Sequence, residues 1–225
     1  MFENRSDAGQ KLGAKLQNEP NLRHINMRDL LVLSIPRGGV IVGAEVAQRL
    51  GCAHEIVAAK KIGFPGREEL ALGAVAEDGV EVMDQKLLAY LHQMGPYIKQ
   101  AVVRTKKLIA ATVEKFRQGR PLDLSGKTVI VVDDGIATGE TMQAAISWAT
   151  NPHRPDRPRR VLVAVPVCAP QIVRTIGKQV DQFIYLQAPD SFWAVGQFYH
   201  DFRPVSDDEV IRTLAQVELS QNKPA

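Results

Sequence analysis

Short continuous apolar runs alternate along this chain with stretches in which apolar residues return every three or four positions. Residues 30–35, 129–132 and 161–167 are rich in Leu, Ile and Val and read as strands buried on both faces, and 55–59 and 180–186 add two more. Helical spacing appears first over 7–16, where Ala8, Leu12 and Leu16 share a face and Ser6 stands at the N-cap position. A second helix carries Val40, Ala44, Val46, Ala47 and Leu50 and stops at Gly51. Leu87, Leu88 and Leu91, then Ile98, Val102, Leu108, Ile109 and Val113, predict two helical pieces divided near Gly95-Pro96. A helix after Gly139, another over 170–178, and a last one with Ser206 and Glu209 as a capping box complete the series. Strand and helix alternate, so the expected fold class is α/β with a Rossmann-like parallel sheet and right-handed crossovers.

Two stretches break the alternation. Residues 62–79 are glycine-rich and lack a clean period, which predicts a mobile flap, made partly a hairpin by a short strand at 81–83. Residues 188–204 concentrate Phe192, Trp193, Phe198, Tyr199 and Phe202 between prolines and glycines. Aromatics in such a segment serve local packing more often than ligand stacking.

Composition narrows the class without naming the chemistry. The chain has 225 residues, 45% of them apolar and 24% charged, as expected of a single globular domain. The first ten residues are polar, with no secretory h-region, and no run is long enough to span a bilayer, so a cytoplasmic protein without a membrane partner is expected. Cys52 and Cys168 have neither metal-ligand nor redox spacing and read as buried thiols. The net charge of +3 is too dispersed to argue for nucleic acid. Its one cluster, Arg154, Arg157, Arg159 and Arg160 among three prolines, reads as a solvated connector.

Candidate chemistry gathers at 129–141. A β-branched strand ends in adjacent carboxylates, Asp133 and Asp134, at the carboxyl edge where open α/β sheets bind ligands. Such a pair can grip a cis-diol. The loop that follows, Ala137-Thr138-Gly139-Glu140-Thr141, is small and opens a helix, so its backbone N–H groups can converge on an anion. Diol beside phosphate describes a ribose 5-phosphate. After the first strand, Pro36-Arg37-Gly38-Gly39 forms a second glycine turn whose arginine offers a fork for phosphate oxygens, and Lys60 and Lys61 are expected at the carboxyl end of the second strand. Gly126-Lys127-Thr128 imitates a nucleotide P-loop, but it precedes a strand and has Pro121 where the first glycine belongs.

With these motifs in place, the chain resembles the type I phosphoribosyltransferases, over most of its length. The 129–141 stretch is similar to the family's signature for 5-phosphoribosyl-1-pyrophosphate (PRPP). The resemblance implies Asp133 and Asp134 on the ribose hydroxyls, directly or through water on Mg²⁺, and residues 137–141 around the 5-phosphate. It also implies Arg37, Gly38, Gly39, Lys60 and Lys61 at the pyrophosphate, a flap at 62–79, and a hood at 188–204 with the N-terminal segment, whose Phe192 and Trp193 face the acceptor. The implied reaction moves ribose 5-phosphate from PRPP to a nitrogen acceptor such as a nucleobase, and a homodimer is expected. Ala137 stands where 6-oxopurine enzymes of the family carry an aspartate, which leaves the acceptor open. A non-catalytic PRPP or nucleotide sensor, and a phosphohydrolase with water as acceptor, are the alternative readings.

Overall fold

A computed structural model describes residues 1–64, 67–83 and 95–221. Five parallel strands form the central sheet: β1 (Leu30–Ser34), β2 (Ala53–Ile56), β6 (Thr128–Val132), β7 (Arg160–Val167) and β8 (Gln182–Gln187), in the order β2-β1-β6-β7-β8. Three further strands, β3 (Ala59–Phe64), β4 (Arg67–Ala76) and β5 (Glu81–Met83), make a separate antiparallel sheet. The register pairs Leu30–Ser34 with Thr128–Val132, which sets the first glycine turn beside the paired carboxylates at one edge.

Alternation along the strands decides which helix covers which face. Leu30, Val32, Ile130, Val132, Leu162 and Ala164 point to α1 (Arg5–Gln17) and α2 (Gly38–Leu50), meeting Leu12, Leu16, Val42 and Val46. Leu31, Leu33, Val129, Val131, Val161 and Val163 point the other way, to α4 (Glu140–Ala149) and α5 (Pro170–Gly177), meeting Met142, Trp148, Ile172 and Ile176. A lateral core joins the antiparallel sheet to α3 (Gly95–Arg117) and the final helix α6 (Asp207–Gln221) through Ile62, Leu72, Val75, Val102, Ile109, Phe116, Val210 and Leu214.

Several expectations change here. The first helix begins at Arg5, and its N-cap is Asn4, whose side chain accepts from the Asp7 N–H at 3.0 Å. The expected strand over 55–59 is divided: β2 ends at Ile56 and Ala59 opens the antiparallel ribbon. Buried Glu77 explains the division, because its carboxylate takes the Ala58 N–H at 2.8 Å and draws the chain out of the parallel sheet. Lys60 and Lys61 therefore lie in β3, opposite Val75 and Ala74. Within the expected flap, Leu72, Ala74, Val75 and Ala76 are core residues. The helical piece around Leu87, Leu88 and Leu91 lies outside the described residues. The capping box is half made: Ser206 Oγ accepts from the Glu209 N–H at 3.2 Å, while the Glu209 carboxylate grips Arg203.

Candidate active site

The strand β6 delivers Asp133 and Asp134 to the carboxyl edge of the sheet, and two glycines let the neighbouring turn close on them. A methyl group on Gly38 would strike Asp134 Oδ2, and one on Gly39 would lie 3.0 Å from both the Cα and Oδ1 of Asp133. These glycines open α2, so the helix start packs directly on the dyad. The Asp134 N–H donates to Asp133 Oδ1 at 2.8 Å. Burial, then the adjacent Asp134 charge, pushes the Asp133 carboxyl well above the ordinary carboxylate range. Burial also raises Asp134, opposed chiefly by the Arg5 guanidinium beside it.

Below the dyad the loop is held by strand-like bonds. The Ile136 N–H donates to the Val167 carbonyl at 3.0 Å and the Ala169 N–H to the Ile136 carbonyl at 2.9 Å. Gly139 then adopts φ +93° as the N-cap of α4, and no side chain caps the helix. The first-turn N–H groups consequently have no partner within the helix, and such a helix start suits an anion. Ala137 and Glu140 are half-buried there and Thr138 is exposed. One Glu140 carboxylate oxygen, Oε2, is buried without a donor, so this residue can serve an anion through its N–H but not its side chain.

Arg37 and Lys60 meet in a cleft of about 320 Å³ between the first turn, β3 and α3. Lys115 and Thr112 of α3 line it too, although the spacing of that helix gives no sign of chemistry. Lys115 Nζ lies 2.6 Å from Asp207, and Arg37 reaches the same carboxylate at 3.6 Å. Lys61 is the neighbouring residue of β3 and is exposed, on the strand face opposite Lys60.

The N-terminal segment and the aromatic stretch form one unit over the dyad. Phe2 exchanges backbone bonds with Phe198 and His200, both at 2.8 Å, and its ring packs on Tyr199. The Tyr199 hydroxyl donates to the Asp134 carbonyl at 2.6 Å, and burial raises its pKa. Val195 fills the space beside Gly135 left by the missing side chain. Arg5, to which the sequence assigns no role, places Nε 2.7 Å from Asp134 Oδ2. Of the expected acceptor residues, Phe192 is half-buried against Phe198, whereas Trp193 is 87% exposed.

The arginine-rich loop departs from its reading as wholly solvated. Arg154 turns inward, stacks on Trp148 at 4.1 Å, and pairs with Asp156 and with Asp78 of the hairpin. Among the described residues no cluster of three metal-ligating side chains exists. Two adjacent carboxylates nevertheless fit Mg²⁺ well, because this hard cation takes one or two carboxylates and completes its shell with water and substrate phosphates. No helix of the described residues is long and apolar enough to cross a membrane.

A phosphoribosyl transferase domain model matches residues 6–203, and the chain belongs to this family. It is 37% identical over 216 residues to Rv0571c of Mycobacterium tuberculosis, provisionally named a phosphoribosyl transferase; the alignment covers 95% of this chain and 46% of that protein. The chain thus spans about half the length of the curated relatives it matches. The crystal structure of TT1426 from Thermus thermophilus is similar with a TM-score of 0.75 and 38% identity, covering 96% of this chain and 98% of that one. AQ2163 from Aquifex aeolicus shares the fold at 13% identity and a TM-score of 0.50, over 82% of this chain and 74% of that one.

Proposed function

We propose that this protein transfers ribose 5-phosphate from PRPP to a nitrogen acceptor, with release of pyrophosphate. One observation carries the reading: the Gly38-Gly39 turn and the Asp133-Asp134 dyad form a single surface at the carboxyl edge of the sheet. Family membership supports the same chemistry. A ligand spanning that surface needs an anion at the α4 N-terminus, hydroxyls at the dyad, and a second, more highly charged anion at the Arg37-Lys60 cleft. PRPP has this order of groups.

In this reading residues 137–141 bind the 5-phosphate through backbone N–H groups, and Asp133 and Asp134 hold the ribose hydroxyls. Mg²⁺, when bound with the substrate, supplies charge neutralisation for pyrophosphate. As the C1–O bond to pyrophosphate breaks, the ring becomes oxocarbenium-like and the acceptor nitrogen forms the new C1–N bond from the opposite face, its N–H proton passing to solvent. Arg37, Lys60 and Lys115 meet the charge that develops on the departing oxygens. The β3–β4 hairpin excludes water, which would otherwise compete as the nucleophile. Phe192 and Trp193 face the acceptor, and the whole acts as a cytoplasmic homodimer.

Incubation with Mg²⁺, PRPP and pooled nucleobases tests this. A product heavier than one base by the ribose 5-phosphate increment, with equimolar pyrophosphate, is the expected result. Loss of PRPP to ribose 5-phosphate alone identifies a hydrolase. In the basic loop on which the sensor reading rests, Arg154 is engaged with Asp78, Asp156 and Trp148, while Arg157 and Arg159 are exposed.

A further inference from the structure

Arg5 precedes the span matched by the family model, yet its guanidinium brings the donor site and the aromatic segment together. Nε donates to Asp134 Oδ2 at 2.7 Å, Nη1 donates to the Arg203 carbonyl at 2.9 Å, and the guanidinium carbon lies 3.8 Å from the centre of the Phe202 ring. Only 11% of the side chain is exposed. All three partners are fixed from outside Arg5. Phe202 packs on Tyr199, whose hydroxyl holds the Asp134 carbonyl, and Arg203 is tied to Glu209 of α6.

The base of Arg5 is equally constrained. It opens α1, and α1 approaches α2 closely at Gly9 and Gly13, where added methyl groups would lie 2.7 Å from the Val42 carbonyl oxygen and 2.9 Å from Arg49 Cβ. The other end of α2 is the Gly38 turn against Asp134. Two rigid paths therefore meet at one carboxylate oxygen, one through the backbone of α2 and one through the Arg5 side chain.

We propose that Arg5 is a positioning residue for the donor site, holding the Asp134 carboxylate where the ribose hydroxyls meet it and drawing its own order from Phe202 and Arg203. The proposal rests on the reading of this pocket as a PRPP site. The Gly38 backbone closes one side of the Asp134 carboxylate and Tyr199 fixes its backbone carbonyl, but neither donates to Oδ2 as Arg5 does, so losing the guanidinium removes the bond that selects the rotamer meeting the ribose. A planar fork suits the task because one face stacks while two edges donate. Lysine offers charge without that geometry. Arg5 is absent from the Arg37-Lys60-Lys115 cleft, so its influence is confined to the ribose end of the ligand.

Calorimetric titration of Mg²⁺-PRPP and, separately, metal-free pyrophosphate, which needs only the Arg37-Lys60-Lys115 cleft, into the wild type, Arg5→Met, Arg5→Lys and Phe202→Leu tests this. Arg5→Met is expected to weaken PRPP about 10- to 100-fold, the size of a lost charge-assisted hydrogen bond. Arg5→Lys restores little of that, Phe202→Leu shifts PRPP in the same direction by less, and pyrophosphate stays within about twofold of wild type in all three. Retained pyrophosphate binding also shows that a variant is folded; should Arg5→Met not fold, Phe202→Leu carries the test with Arg5 still present. PRPP affinity at the wild-type value in the folded variants, or equal loss of both ligands, overturns the proposal. A wild type that binds pyrophosphate but not PRPP overturns the functional reading, and this inference with it.

Discussion

Gly38 stands so close to Asp134 that any side chain at this position would collide with the carboxylate, and the same added atom would lie 2.8 Å from Arg5 Nε. The turn after β1 and the acids after β6 are consequently one mechanical unit, although 95 positions separate Gly38 from Asp133 in the chain. Displacing one displaces the other.

Gly38→Ala is therefore expected to lower pyrophosphate release with PRPP by about two orders of magnitude, the usual effect of a reacting group moved by an ångström. The added methyl should destabilise the fold by about 1–3 kcal/mol, leaving it folded at room temperature. Steady-state kinetics beside a thermal melt checks both. An unchanged rate would show that the dyad does not have to stay against the turn.

Glu77 and Arg117 join the base of the hairpin to α3 through two hydrogen bonds of 3.0 and 2.9 Å, with 7% and 11% of their side chains exposed. Removing one charge strands the other in the interior. Arg117→Met is expected to cost about 3–5 kcal/mol in urea denaturation, and the double variant with Glu77→Met to recover a large part of it. Additive losses would mean that the pair has no energetic coupling.

Most of the central sheet was legible because its strands are continuous apolar runs and its turns carry glycine, while the site's donor half follows from two adjacent acids before a small-residue loop. Arg5 and Lys115 could not be found this way. Each is an ordinary basic residue on a helix, and only the tertiary approach of α1 to β6, or of α3 to the first turn, gives it a partner. The misplaced second strand has a similar cause: the apolar run from Ile56 to Ala59 hides a change of sheet dictated by Glu77, a distant buried acid. Arg154 misled for the opposite reason, since a charged loop reads as solvated until Trp148 and Asp78 are brought beneath it.

His54 gives the fold a pH dependence of definite sign. Burial lowers its pKa from 6.5 to about 3, with Nε2 at 2.8 Å from Ser34 Oγ and Nδ1 buried without a partner. The unfolded chain takes up a proton near pH 6.5, but the folded chain does not until far lower pH, so stability falls as pH drops through 6.5. Between pH 7.5 and 5.5 the loss should be about 1 kcal/mol from this group. His54→Gln should remove that component in urea titrations at the two pH values; an identical loss in the variant would exclude His54 as its source.

Trp148 is 2% exposed and Trp193 is 87% exposed, and they are the only two tryptophans. Trp193→Ala should change stability by less than about 0.5 kcal/mol, as for an exposed residue without structural duties. If Trp193 faces the acceptor, the variant raises the acceptor KM while leaving that for PRPP unchanged. Equal effects on both substrates would remove Trp193 from the acceptor side.

The account depends most on Asp133 and Asp134 holding the ribose of PRPP. Its most direct measurement is pyrophosphate release from Mg²⁺-PRPP with pooled bases, for the wild type and for the Asp133→Asn, Asp134→Asn double variant at equal folded concentration. Release by the wild type and none above background from the double variant is the predicted result. Equal release from both proteins would contradict it.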